Sequence, residues 1–167
     1  MGAKKLVMIA GPAGVGKTAV CKVLFGQIEG CAWLDADWCW MVNPYIGKTT
    51  EQKRYAEGAF GYLLNGYLAD DNTKVILFCW LMHSDFMFDL VTDRLDGAGY
   101  DLVKIALICT DRTIYVERMK KDGRRQEQIA QDVDMAQFAR LDAHVIDVAH
   151  MSVAEVAARI TDIARIG

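Results

Sequence analysis

Gly11-Pro12-Ala13-Gly14-Val15-Gly16-Lys17-Thr18 fits the template G-x-x-x-x-G-K-S/T at every fixed position. Ahead of it, Leu6-Val7-Met8-Ile9-Ala10 is an uninterrupted apolar run that suits a buried parallel strand. Behind it, Val20, Val23, Leu24 and Ile28 recur at helical spacing. Strand, glycine loop and helix in that order have a physical purpose. The glycines let backbone N–H groups turn inward around phosphate oxygens, and the helix N-terminus adds partial positive charge. Lys17 is expected to reach the β- and γ-phosphates, and the Thr18 hydroxyl to hold Mg²⁺. The stretch predicts a nucleoside triphosphate site.

The rest of the composition sets bounds. At 167 residues the chain has the length of one domain with a full hydrophobic core. Two prolines, no linker-like segment and no repeat leave no internal boundary, so one domain over 1–167 is expected. A net charge of −3 gives no general reason to expect nucleic acid or a membrane surface as partner. The apolar run after Lys4-Lys5 is too short for a signal or membrane helix. Five cysteines, with no C-x-x-C pair, read as small apolar residues in a reducing, cytoplasmic setting.

Past Gly30, Cys31-Ala32-Trp33-Leu34 reads as a second strand ending in Asp35-Ala36-Asp37. Spacing i, i+2 on a strand sends both carboxylates to one side. The carboxyl ends of parallel strands are where such sheets place ligands. One carboxylate there can hold Mg²⁺, and the other can take a proton from an incoming hydroxyl. The competing reading makes Asp37 the cap of a short helix. Trp38, Trp40 and Tyr45 follow, either as core or as walls of an acceptor pocket. Thr49 and Gln52 have capping-box spacing, opening a helix with Ala56, Ala59, Phe60, Leu63 and Tyr67 on its apolar face. Lys53 and Arg54 sit at the end of that helix that the dipole disfavours for cations, as solvated charges or as contacts to an anionic acceptor.

Val75 to Leu81 reads as a central third strand with no acidic residue at its end, which shifts metal binding toward Asp35. His83 faces the expected cleft, and Ser84 or Asp85 is expected to cap the helix carrying Met87, Leu90, Val91 and Leu95. Leu102 to Cys109 forms the fourth strand, and Asp111 caps the next helix. That helix runs into Arg118-Met119-Lys120-Lys121-Asp122-Gly123-Arg124-Arg125, five basic residues in eight. Cations over a migrating phosphoryl group suit a lid hinged at Gly123; a solvated basic helix end is the plainer reading. Helix is expected to resume from Glu127 to Leu141. His144 to Val148 forms the fifth strand, and Ser152 with Glu155 is a second capping box opening a helix with Val156, Ile160 and Ile163 on its core face.

With the phosphate loop, Asp35-Ala36-Asp37, Arg118 and the basic turn together, the chain resembles the P-loop kinases of the nucleoside-monophosphate-kinase-like group. Its pattern is similar to the branch holding shikimate kinase, gluconate kinase and chloramphenicol phosphotransferase. The resemblance implies a three-layer α/β/α fold with a five-stranded parallel sheet in order 2-3-1-4-5, and ATP with Mg²⁺ as donor. It implies an acceptor-binding helical region over 38–70 and a short lid over 118–128. Gly11, Ala13, Gly14, Val15, Gly16, Lys17, Thr18 and Ala19 would hold the triphosphate, with Arg118 stacked on adenine. Thr18 and Asp35 would serve the metal. Asp37 would contact or deprotonate the acceptor hydroxyl, and Arg124 or Arg125 would close on the phosphates beside Lys17. Two departures set it apart from shikimate kinases: Cys79-Trp80-Leu81-Met82 replaces their glycine triplet, and Arg125-Gln126-Glu127 replaces their segment after the lid. The expected activity is transfer of a γ-phosphate to a small-molecule hydroxyl, by a monomer or homodimer. A nucleoside or nucleotide kinase is the alternative within the class, and a slow regulatory ATPase the alternative outside it.

Overall fold

The apolar run before the glycine loop becomes β1 (Lys4–Ala10), the middle strand of a five-stranded parallel sheet. The computed structural model describes residues 3–43, 49–97, 99–124, 129 and 133–166. The strand order is β2-β3-β1-β4-β5, with β2 at Cys31–Asp35, β3 at Val75–Cys79, β4 at Tyr100–Ile108 and β5 at His144–Asp147. In register, Ile9 lies opposite Cys79 on one side and Ile105 on the other. The fold is the expected 2-3-1-4-5 arrangement.

Alternation along β1 divides the core in two. Val7 and Ile9 pack with Val20, Leu24 and Ile160 on one face; Leu6, Met8 and Ala10 pack with Phe60, Leu64 and Phe88 on the other. All five strand residues are fully buried, as a strand covered on both faces requires. The first face is covered by α1 (Lys17–Gln27) and by α6 (Val153–Ala164), which the Ser152–Glu155 capping box opens. The second is covered by α2 (Thr50–Ala69), opened by the Thr49–Gln52 capping box, and by α3 (Asp85–Thr92). Among the described residues no helix is long and apolar enough to cross a membrane.

Several expectations need correction. The core face of α2 runs through Ala56, Phe60 and Leu64, whereas Leu63 is exposed, because a four-residue step follows Phe60. Strand β3 stops at Cys79, and Trp80 to Met82 form the turn beyond it. Ser84 occupies the cap position of α3 without a side-chain bond, and Asp85 instead accepts from the Asp142 amide at 2.9 Å. Leu95 lies past the end of that helix. Helix does not run unbroken from 127 to 141, because Asp134 accepts from Ala136 N and starts a separate α5 (Met135–Ala139).

One clamp joins two covering helices. The Arg94 guanidinium, just past α3, donates to the Leu90 carbonyl at 2.5 Å and to the Glu57 carboxylate of α2. Asn65 of α2 donates to the Arg94 carbonyl at 2.9 Å and accepts from Asp96 N at 2.8 Å.

Candidate active site

The glycine loop leaves β1 and enters α1 through three backbone conformations that L side chains rarely adopt. Gly11 has φ +149°, Gly14 φ +80° and Gly16 φ +112°. A Cβ on Gly14 would meet Met119 Cγ at 2.7 Å, so α4 (Arg112–Lys121) closes on the loop only because no side chain stands there. Tyr115 of α4 braces the loop, its hydroxyl donating to the Ala13 carbonyl at 2.5 Å. No side chain caps the start of α1, so its first amides remain available to an anion. Lys17 Nζ donates to the carbonyls of Gly11 and Pro12 at 2.8 and 2.9 Å. Burial pushes this ammonium below the ordinary lysine range; Asp37 and Asp35 oppose that, and Arg124 adds to it.

The acidic pair sits across from this lysine. Asp35 ends β2 and is 7% exposed. One of its oxygens accepts from Thr18 Oγ1 at 3.1 Å, the other from the Asp37 amide at 3.1 Å. The cap of the following 3₁₀ helix (Ala36–Trp40) is therefore Asp35, and Asp37 has no capping duty. Strand alternation does not set the direction of Asp37, since the chain leaves β2 at Asp35. Asp37 is exposed, yet both carboxylates are near enough to bias the charge of Lys17.

The basic turn after α4 opens with a helix stop. Gly123 takes φ +71°, its amide donates to Lys120 O at 3.0 Å, and the Arg124 amide donates to Met119 O at 3.1 Å. This pair of bonds is the Schellman pattern. It turns Arg124 back over the loop, with Nε 3.8 Å from the place a Gly14 Cβ would occupy. That Nε is buried and has no hydrogen-bond partner among the described residues. Arg118 reaches the turn after β5, donating to Val148 O at 2.8 Å. Asp147 fixes the same turn by accepting from Ala149 N at 3.0 Å and from the Thr110 amide and hydroxyl. Arg125 lies outside the described residues.

A cavity of about 470 Å³ opens at the carboxyl end of the sheet, and Asp37 is not among its lining residues. Trp40, Trp80 and Leu81 line it from the strand ends, and Lys53 and Glu57 from α2. His83, Ser84, Phe86, Met87 and Leu90 complete it from α3 and its approach. Of the residues whose place the sequence left open, Lys53, His83 and Trp40 meet at this cavity. Arg54 does not line it, and Trp38 packs on Trp33 instead, ring centroids 5.0 Å apart; Tyr45 lies outside the described residues. A larger cavity of about 640 Å³ sits among Tyr62, Asn65, Leu68 and Tyr100. It borders the N-terminal end of β4, the end of a parallel sheet opposite to its ligands.

Thr18, Asp35 and the loop amides suit a magnesium–triphosphate pair. A hydroxyl and a buried carboxylate are the hard oxygen donors Mg²⁺ selects, and phosphate and water complete its shell. Among the described residues no group of three or more His, Cys, Asp or Glu could hold a metal alone. The buried Arg124 Nε, a donor without a partner among the described residues, is one that a phosphate oxygen would satisfy. Sequence reading missed Tyr115, Met119 and Asp147. Each acts across at least 37 positions or through backbone approach, which no local spacing signals.

The family model described as an AAA domain matches residues 7–139. No curated protein sequence is significantly similar to the chain. Solved structures share the fold. The Deinococcus radiodurans tunicamycin resistance protein is 17% identical with TM-score 0.64, covering 95% of this chain and 94% of that one. A sugar kinase from Janibacter sp. is 16% identical with TM-score 0.66, covering 98% and 96%. The Mycobacterium tuberculosis APS kinase CysC in complex with AMPPNP and APS is 16% identical with TM-score 0.61, covering 99% of each chain.

Proposed function

This chain belongs to the AAA-domain family, and we propose that it is an ATP-dependent phosphotransferase that moves the γ-phosphate to a hydroxyl of a small-molecule acceptor. The whole chain serves as one kinase domain, with the acceptor region over 38–70 and the lid over 118–128. One observation carries the reading: Lys17, the Thr18–Asp35 pair, Asp37 and Arg124 converge on a single glycine loop. Kinases of sugar and of APS among the fold neighbours support it.

In the transfer, the acceptor oxygen forms a bond to the γ-phosphorus as the bond from that phosphorus to the β–γ bridging oxygen breaks. The hydroxyl proton passes to the Asp37 carboxylate, and ADP leaves. Lys17 and Arg124 hold the charge that spreads over the equatorial oxygens. Loop amides from Ala13 to Ala19 orient the triphosphate, and Arg118 stands at the adenine end. Mg²⁺ bound through Thr18 and Asp35 supplies further charge neutralisation. Lys17→Ala is expected to abolish nucleotide turnover. Asp37→Ala is expected to remove acceptor phosphorylation while nucleotide binding persists. Full transfer activity in Asp37→Ala would sink the assignment of the base, and acceptor-independent ATP hydrolysis alone would favour the regulatory ATPase.

A further inference from the structure

We infer that the acceptor is an alcohol on a mainly apolar, ring-bearing scaffold, and that the cavity lined by Trp40, Trp80 and Phe86 selects against polyols and nucleotides. This rests on the phosphotransferase reading. Asp37 and Trp40 lie three residues apart in a 3₁₀ helix, a spacing at which side chains eclipse. The carboxylate that takes the proton therefore shares a helix face with a wall of the cavity. Trp80, 8% exposed, also lines the cavity and packs on the Phe60 ring at 5.6 Å between centroids. Leu81 and Phe86 add apolar surface at the rim, 42% and 70% exposed. A volume of about 470 Å³ suits a compound of several rings.

Six of the ten described lining residues are apolar or aromatic. Arg94 takes one Glu57 oxygen, and Lys53, His83 and Ser84 are the other polar side chains besides the two indole groups. A sugar carries a hydroxyl on nearly every carbon, and each one buried without a partner counts against binding. A nucleotide acceptor calls for bidentate arginine on its phosphate. No arginine stands among the described lining residues. One flat apolar body, one hydroxyl toward Asp37 and one polar group toward Lys53 match what the walls offer.

The test measures ADP release from MgATP by the full chain with 2-naphthalenemethanol, cinnamyl alcohol, D-glucose and uridine as acceptors, with mass spectrometry of the products. The aryl alcohols are expected to be phosphorylated with kcat/KM at least about tenfold above glucose or uridine. Leu81→Asn and Phe86→Ser, both at exposed positions, are expected to raise KM for the aryl alcohols about fivefold or more and leave KM for ATP unchanged. Circular dichroism confirms that these variants fold. Equal or better use of glucose or uridine overturns the inference and leaves the kinase standing. An unchanged aryl-alcohol KM in both rim variants also overturns it. If none of the four accelerates ADP release although MgATP binds, the phosphotransferase reading falls and this inference with it.

Discussion

Replacing Arg124 by Met should move activity and stability in opposite directions. The Arg124 Nε is buried beside Gly14 without a partner among the described residues, and a polar group in that state costs about 1–3 kcal/mol. Arg124 keeps part of its surface in water, so the low end of that range applies. Met preserves the apolar stem and removes the orphan donor. The nucleotide-free variant is thus expected to gain about 1 kcal/mol, or about 2–4 °C in Tm for a chain of this size. With nucleotide, the same donor meets phosphate charge as it develops in transfer. Losing one such preorganised donor lowers kcat by about 10²–10³. Thermal unfolding without ligand and steady-state ADP release with acceptor measure the two effects. A kcat within about threefold of the parent, or a Tm lower by more than about 2 °C, would refute the reasoning.

Other perturbations separate the remaining parts. Asp35→Asn keeps an oxygen to cap the 3₁₀ helix but loses the charge near Thr18, and should raise the half-saturating Mg²⁺ concentration about 10–100-fold in a magnesium titration of ADP release. Gly123→Ala puts a Cβ on a left-handed residue in open space; a loss of about 1 kcal/mol in chemical denaturation is expected, with a fall in kcat as Arg124 shifts. Asp147 reports on pH: burial works to raise its pKa, but the bonds from Thr110 and Ala149 hold it below the usual carboxylate value. Such a carboxylate stabilises the fold above its unfolded value of about 4, and that contribution is lost as pH falls through the lower folded value. The stability gap to Asp147→Asn should be flat above about pH 5 and close in acid; a gap still constant at about pH 2 would contradict this.

What could be read from the sequence was what the sequence decides locally. The phosphate loop, both capping boxes and the Asp111 cap depend on residues a few positions apart, and all stand where spacing puts them. The strand order came through the family resemblance, since no local signal places β3 between β2 and β1. Leu63 and Leu64 are adjacent and chemically alike, so period alone could not say which one Phe60 leads to. The cap is Asp35 and not Asp37 because the strand ends two residues earlier than an i, i+2 argument needs. Gly123 was legible as a special residue, but the bonds to Lys120 and Met119 that end α4 there and aim Arg124 at the loop exist only after folding. Tyr115, Arg94 and Asp147 act on carbonyls, carboxylates and amides far along the chain, and the distances that give them work exist only after folding.

The Arg94 clamp has a consequence for how selectivity can change. Glu57 and Leu90 both border the 470 Å³ cavity, and one guanidinium grips both, so the two jaws of that recess travel as a single piece. In the proposed reading, the α2 and α3 walls of the recess for the second substrate keep their spacing when nucleotide binds. Chemotype preference can therefore drift through rim side chains alone, without disturbing the machinery one strand away.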